Sequence, residues 1–162
     1  MIEETNRVGY SRRLHPFKLL LCPNKKMLER SIHLARSLFP DVYDERKKYR
    51  TFHFSFAWRS RQIISIGQNY PDNTNAKAMR FAKRFGNRKQ MEYPYLHAEV
   101  DMLSKLWGRY YIDSKMKVVV LRLNSKGELK NSKPCVGCSN IFSALGVGKI
   151  WYSTNTGSIA RL

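Results

Sequence analysis

The sequence predicts a single α/β domain. Amphipathic and β-branched stretches alternate in the order helix, strand, strand, insert, helix, strand, helix, strand. The 162 residues are enough to enclose one hydrophobic core. At 43% hydrophobic residues the composition is that of a folded protein rather than a disordered one. No repeat, low-complexity tract or linker interrupts the chain, so residues 1–162 read as one domain with a basic lead-in over about 1–24 and a basic insert over about 70–95.

The elements follow in order. The lead-in carries Arg7, Arg12, Arg13 and Lys18, and Phe17 to Cys22 reads as a short strand or an extended packed segment. Pro23-Asn24 signals a helix start. In Lys25 to Phe39, residues Leu28, Ile32, Ala35 and Phe39 recur at spacings of four, three and four on one helical face, and Pro40 is expected to end the helix. His33 on this helix reads as a surface or core residue. Asp41 to Arg50 is a charged connection. Thr51 to Trp58 alternates as a strand, Arg59-Ser60-Arg61 suits a hairpin turn, and Ile63 to Gln68 is the second strand. His53 is expected to be a packed strand histidine, with a place facing the site as the alternative. Pro71-Asp72-Asn73 marks a loop and Ala76 to Phe85 a helix with Phe81 and Phe85 four apart. Ala98 to Trp107 is a helix stopped by Gly108, and Lys117 to Leu123 is a β-branched strand followed by the turn Asn124-Ser125-Lys126-Gly127. Pro134 fits the first turn of a helix from Cys135 to Leu145, stopped by Gly146, and Lys149 to Tyr152 is the final strand.

Charge and cysteine usage narrow the setting. Thirty Lys and Arg against twelve Asp and Glu give a net charge of +18, a field that attracts polyanions without identifying them. Lys77, Arg80, Lys83, Arg84, Arg88 and Lys89 crowd the insert, with Met91, Tyr93 and Tyr95 beside them. Basic groups interleaved with aromatics suit phosphates and stacked bases; the same pattern also fits a solvated helix with a core-facing Phe pair. Three cysteines do not make a disulfide framework in a chain this long. Cys22 reads as a small buried hydrophobe. The apolar runs Leu19 to Cys22 and Val118 to Leu121 are too short to span a bilayer, and the N-terminus lacks a signal-peptide pattern, so a cytoplasmic protein without membrane partners is expected.

Two short stretches carry the chemistry: His97-Ala98-Glu99 and Pro134-Cys135-Val136-Gly137-Cys138. One His and two Cys can hold Zn2+ and leave a fourth position open, as catalytic zinc requires. H-x-E followed by P-C-x-x-C is the pattern of zinc deaminases of nucleobases. Residues three apart share a helix face, so both sulfurs reach one ion. A helix N-terminus favours their thiolate forms. Zinc lowers the pKa of its water to about 7, and Glu99 is placed as the proton shuttle. A lone C-x-x-C would also suit a redox pair or structural zinc. The structural reading needs a fourth protein ligand, for which Cys22 and the remaining histidines are the candidates.

These residues resemble the zinc-dependent cytidine deaminase superfamily, in particular its deoxycytidylate-deaminase-like branch. Ile66-Gly67-Gln68-Asn69 is similar to the family's strand ending in Gly-x-Asn. Leu96 to Asp101 is similar to its first zinc helix, and Ser132 to Cys138 with Gly146 to Ser153 to the second and the strand after it. Asn131-Ser132-Lys133-Pro134-Cys135 and Tyr152-Ser153-Thr154 resemble small phage and bacterial members. The similarity spans roughly residues 25 to 155. It implies a three-layer α/β/α fold with a mixed central sheet and zinc on His97, Cys135 and Cys138. It further implies Glu99 as catalytic residue, Asn69 with Ala98 and Pro134 as substrate-binding candidates, and a homo-oligomer. Asn69 also reads simply as a turn residue before Tyr70-Pro71.

Three functions compete. The first is hydrolytic deamination of cytosine in a nucleoside or nucleotide such as dCMP. The second is deamination of cytosine, or of adenine, within RNA or single-stranded DNA, supported by the charge and the patch from Lys77 to Lys89. The third is a non-enzymatic, zinc-stabilised nucleic-acid-binding protein on the same fold. Glu99 speaks against the third, since structural zinc has no use for that carboxylate.

Overall fold

A computed structural model describes residues 24–45, 51–70, 75–85 and 96–162. The expectations for Phe17 to Cys22, Pro71 to Asn73, Arg88, Lys89, Met91, Tyr93 and Tyr95 lie outside these residues. In chain order the elements are α1 (Lys25–Glu45), β1 (Thr51–Arg59), β2 (Gln62–Gln68), α2 (Ala76–Phe85), α3 (Ala98–Leu106), β3 (Lys117–Asn124), β4 (Leu129–Lys130), α4 (Val136–Ala144), β5 (Lys149–Ser153) and β6 (Ile159–Arg161).

The sheet has the order β2-β1-β3-β5-β6, with β4 paired to one end of β3. β3 and β5 run parallel, joined by a crossover that contains α4, and the remaining pairs are antiparallel, so the sheet is mixed as expected. Alternation along β1 divides the core. Phe52, Phe54, Phe56 and Trp58 join Val119, Leu121 and Leu123 under α1. Ala57, Val118 and Val120 face Phe81 of α2, Leu103 of α3 and Phe142 of α4. Helices on both faces make three layers. No helix among the described residues is long and apolar enough to cross a membrane.

Pro40 does not end α1; it lies inside it. An interior proline removes a hydrogen bond and costs about 3 kcal/mol. The turn beyond it buries Val42 and sets the Tyr43 ring 5.5 Å from Phe39 and 5.7 Å from Phe52. Asp41 to Glu45, expected to belong to a charged connection, are helical instead. Across the sheet, Trp58 Nε1 donates to Ser31 Oγ at 3.0 Å and locks α1 to β1. The β1–β2 hairpin turns through Ser60 and Arg61, with Ser60 at φ 56°.

Two strands go beyond the sequence reading. β4 is a two-residue strand zipped onto β3, and β6 follows β5 through a turn at Thr154–Gly157, so Lys149 to Tyr152 is not the final strand.

Candidate metal centre and cleft

α3 and α4 deliver their N-termini to one point. His97 is the N-cap of α3, in an extended conformation, and its side chain makes no capping bond. It is therefore turned to other partners. Cys135 is the N-cap of α4, and its sulfur accepts the backbone N–H of Cys138 at 3.5 Å. Pro134 thus precedes the cap instead of occupying the first helical turn. The missing N–H of Pro134 leaves no unpaired donor there, and the sulfur satisfies the helix end.

His97 Nδ1 lies 3.6 Å from Cys135 Sγ and 3.4 Å from Cys138 Sγ, and the three ligand atoms fall within 4.8 Å of one another. Zn–N near 2.0–2.1 Å and Zn–S near 2.3 Å put a tetrahedral N and S roughly 3.6 Å apart. The two N–S distances match that spacing, and the donor set of one imidazole and two thiols suits zinc. Its electrostatics agree. Hydrogen bonds from Cys138 and His97 push the Cys135 thiol down to about 3. Cys138 is pushed up by the Cys135 sulfur beside it and by burial. The hydrogen bond to Cys135 raises the His97 pKa against the opposing effect of burial.

Glu99 stands behind this cluster, only 4% exposed. Burial raises its carboxyl pKa, opposed by the charge of His97. A cleft of about 290 Å³ opens over it, lined by His53, Asn69, Leu96, His97, Ala98, Glu99, Lys133 and Cys135. The site residues read from the sequence meet here with four exceptions or groups of exceptions. Cys138 is buried beneath the lining. Pro134 is buried beside Cys135 and does not reach the cleft. Lys77, Arg80, Lys83 and Arg84 are exposed on α2 and are absent from the cleft wall. Arg88 and Lys89 lie outside the described residues.

His53 corrects the expectation of a merely packed strand residue: it is partly buried but lines the cleft. Since the even-numbered aromatics of β1 face α1, position 53 faces the α3–α4 layer. Burial, then the charges of Arg122 and His97, lower its pKa to about 4, so the ring is neutral. Arg122 is its cross-strand partner on β3. Asn69 is held by the same strand. Its Oδ1 accepts the His53 backbone N–H at 2.8 Å and its Nδ2 donates to the Thr51 carbonyl at 3.4 Å.

The approach to Cys135 is fixed by two serines. Ser132 Oγ donates to the Val120 carbonyl at 2.7 Å and accepts the Ser153 N–H at 2.9 Å. Ser153 Oγ donates to the Lys130 carbonyl at 2.6 Å. These buried bonds tie the segment before α4 to β3 and β5. Lys133 in the cleft wall and the serine pair beneath it are features that the sequence reading passed over. Only the local Ser132-Lys133-Pro134 run pointed toward them.

No family model matches the sequence, and no curated protein matches it. Among solved structures, the chain is similar to the apo dCMP deaminase from the cyanophage S-TIM5. The TM-score is 0.46 at 21% sequence identity, and the match covers 80% of this chain and 83% of that one.

Proposed function

We propose that the chain is a zinc-dependent hydrolytic deaminase that converts cytosine to uracil in a (deoxy)cytidine nucleotide or nucleoside. The observation that carries the reading is the buried Glu99 carboxyl behind the His97–Cys135–Cys138 cluster at the floor of the cleft. His97, Cys135 and Cys138 would hold the zinc. When bound, it supplies Lewis-acid activation of the attacking water.

The rest falls to the chain's own residues. Glu99 takes a proton from the water and delivers it to N3 of the ring. It then passes the second proton to the departing amino group, so that cytosine and water leave as uracil and ammonia. Its raised pKa suits a group that must hold a proton between these steps. Leu96 and Ala98 offer apolar walls to the base, Asn69 a polar side chain to the sugar, and the exposed Lys133 a cation to a phosphate. A homo-oligomer is part of the same reading.

The test is ammonia and uracil release from cytidine, CMP and dCMP by wild type and by Glu99→Gln. Turnover by wild type alone supports the proposal. Equal turnover by both, or none by the zinc-loaded wild type, refutes it. A second reading, with the cytosine inside a single-stranded polymer, draws on the cationic α2, exposed and away from the cleft.

A further inference from the structure

Exposed aromatic side chains gather at one place among the described residues. Trp107 is 38% exposed, Tyr110 51% and Tyr111 80%, and all three follow directly on α3. Rings left in water add little to the core, and a cluster of them marks a surface that meets something. Trp107 is held edge-on by Phe85 at 4.6 Å and Phe81 at 5.7 Å, both from α2. The Arg84 guanidinium lies 5.5 Å from the Trp107 ring centre. Lys77, Arg80 and Lys83 extend the positive charge along the exposed side of α2, a helix without a single acidic residue. The acid beyond the tyrosines, Asp113, is engaged by Arg59 at 2.8 Å, and Arg59 also donates to the Tyr111 carbonyl. The tyrosine loop is thereby tied to the end of β1, and its acid is neutralised.

We propose that this surface docks single-stranded nucleic acid. Cations along α2 meet the phosphates, and Trp107, Tyr110 and Tyr111 offer faces on which unpaired bases stack. A duplex keeps its base faces in its own stack and would use only the charges. An anionic membrane would need a continuous apolar face, aliphatic as well as aromatic, to bury below the cations. The exposed aliphatics among the described residues, Val136 and Leu162, belong to other segments. The surface also connects to the cleft through the helices. α2 packs on α3 and α4, and Trp107 stands at the opposite end of α3 from His97, about 15 Å away at 1.5 Å per residue. A strand held there keeps its own cytosines near the cleft. That consequence rests on the deaminase reading, whereas the docking itself does not.

The test is fluorescence anisotropy with the full chain and a labelled thymine-only DNA oligonucleotide, which offers no cytosine to deaminate. Binding should be tighter to the single strand than to its duplex with an adenine strand, and should weaken steadily with salt. Tyr111→Ala and Trp107→Ala should each weaken it by about tenfold, with melting curves confirming that the variants fold. Tyr111, being largely in water, keeps the test valid if Trp107→Ala does not fold. Equal affinity for duplex, or unchanged affinity in Tyr111→Ala, overturns the proposal. So does wild-type self-association that Tyr111→Ala abolishes in light scattering, or binding to phosphatidylserine vesicles without binding to the oligonucleotide. Oligonucleotide binding without cytosine turnover refutes the deaminase reading alone, and turnover without oligonucleotide binding refutes the docking surface alone.

Discussion

Gly67 on β2 lies directly under the backbone of Ala98 on α3. A Cβ added at Gly67 would overlap the Ala98 carbonyl oxygen and come within 2.7 Å of Met102 Cβ. Any side chain there pushes away the helix that starts at His97 and carries Glu99. The neighbouring contacts hold that approach: Gln68 N–H donates to Asp101 Oδ2 at 3.0 Å, and Lys105 Nζ reaches both Asp101 Oδ2 at 2.6 Å and the Ile66 carbonyl at 2.9 Å. Gly67→Ala should therefore cost about 2–3 kcal/mol of stability, as overpacking does, and weaken zinc binding. Gly148→Ala, whose Cβ meets nothing within 4 Å, is the control. Denaturant melts and a zinc-chelator competition measure both.

Glu99→Gln should lower kcat by about 10²–10⁴, as loss of a general acid–base does, while zinc content stays at the wild-type level by elemental analysis. It should also stabilise the metal-free chain at neutral pH. The buried carboxyl has a folded pKa above its unfolded one, so its ionised form opposes folding above that range. In chelator, wild type should gain stability as the pH falls through the folded pKa toward the lower, unfolded one, and Glu99→Gln should lose that gain. Thermal melts across pH decide it.

His53 works in the opposite sense. Its folded pKa of about 4 lies below the ordinary 6.5. The neutral ring contributes full stability above pH 6.5, and the contribution disappears as the pH falls toward 4 because the unfolded chain takes the proton first. Zinc on His97 would add positive charge and act in the same direction. His53→Gln should remove about 2 kcal/mol of that acid sensitivity, allowing for the ring's partial exposure. Urea titrations at pH 7 and pH 5 measure the difference.

Replacing Lys77, Arg80, Lys83 and Arg84 with Gln should leave turnover of dCMP unchanged, because none of the four reaches the cleft. Polynucleotide binding should weaken and lose salt dependence, by about 0.7 in the log–log slope for each phosphate contact removed. Equal losses on both substrates would show that α2 serves the cleft and not a longer ligand.

What could be read from the sequence was local. α2 spans Ala76–Phe85, and β1 reaches one residue beyond its expected end at Trp58, because hydrophobic period and turn residues mark both elements. The gathering of His97, Cys135 and Cys138 was legible because their spacing within each half is itself the geometry. Non-local contacts decided the rest. β4 and β6 are too short to carry a period and exist through pairing with β3 and β5. Pro40 is tolerated because Tyr43 finds Phe52 across the layer. The side of the sheet that His53 faces depends on which helices cover each face, and the Ser132–Ser153 contact joins residues 21 apart.

His97 and Cys135 are 38 residues apart in the chain, yet their ligand atoms sit 3.6 Å from each other. An ion between them would close a covalent-like ring that takes in α3, β3 and β4. By the loop-closure relation used for disulfides, such a staple withdraws roughly 4 kcal/mol of freedom from the unfolded chain. The candidate metal centre would then double as a fastener of the fold. The resistance of this protein to heat would follow the zinc buffering of its surroundings, with chelator lowering the melting temperature of a chain whose sequence has not changed.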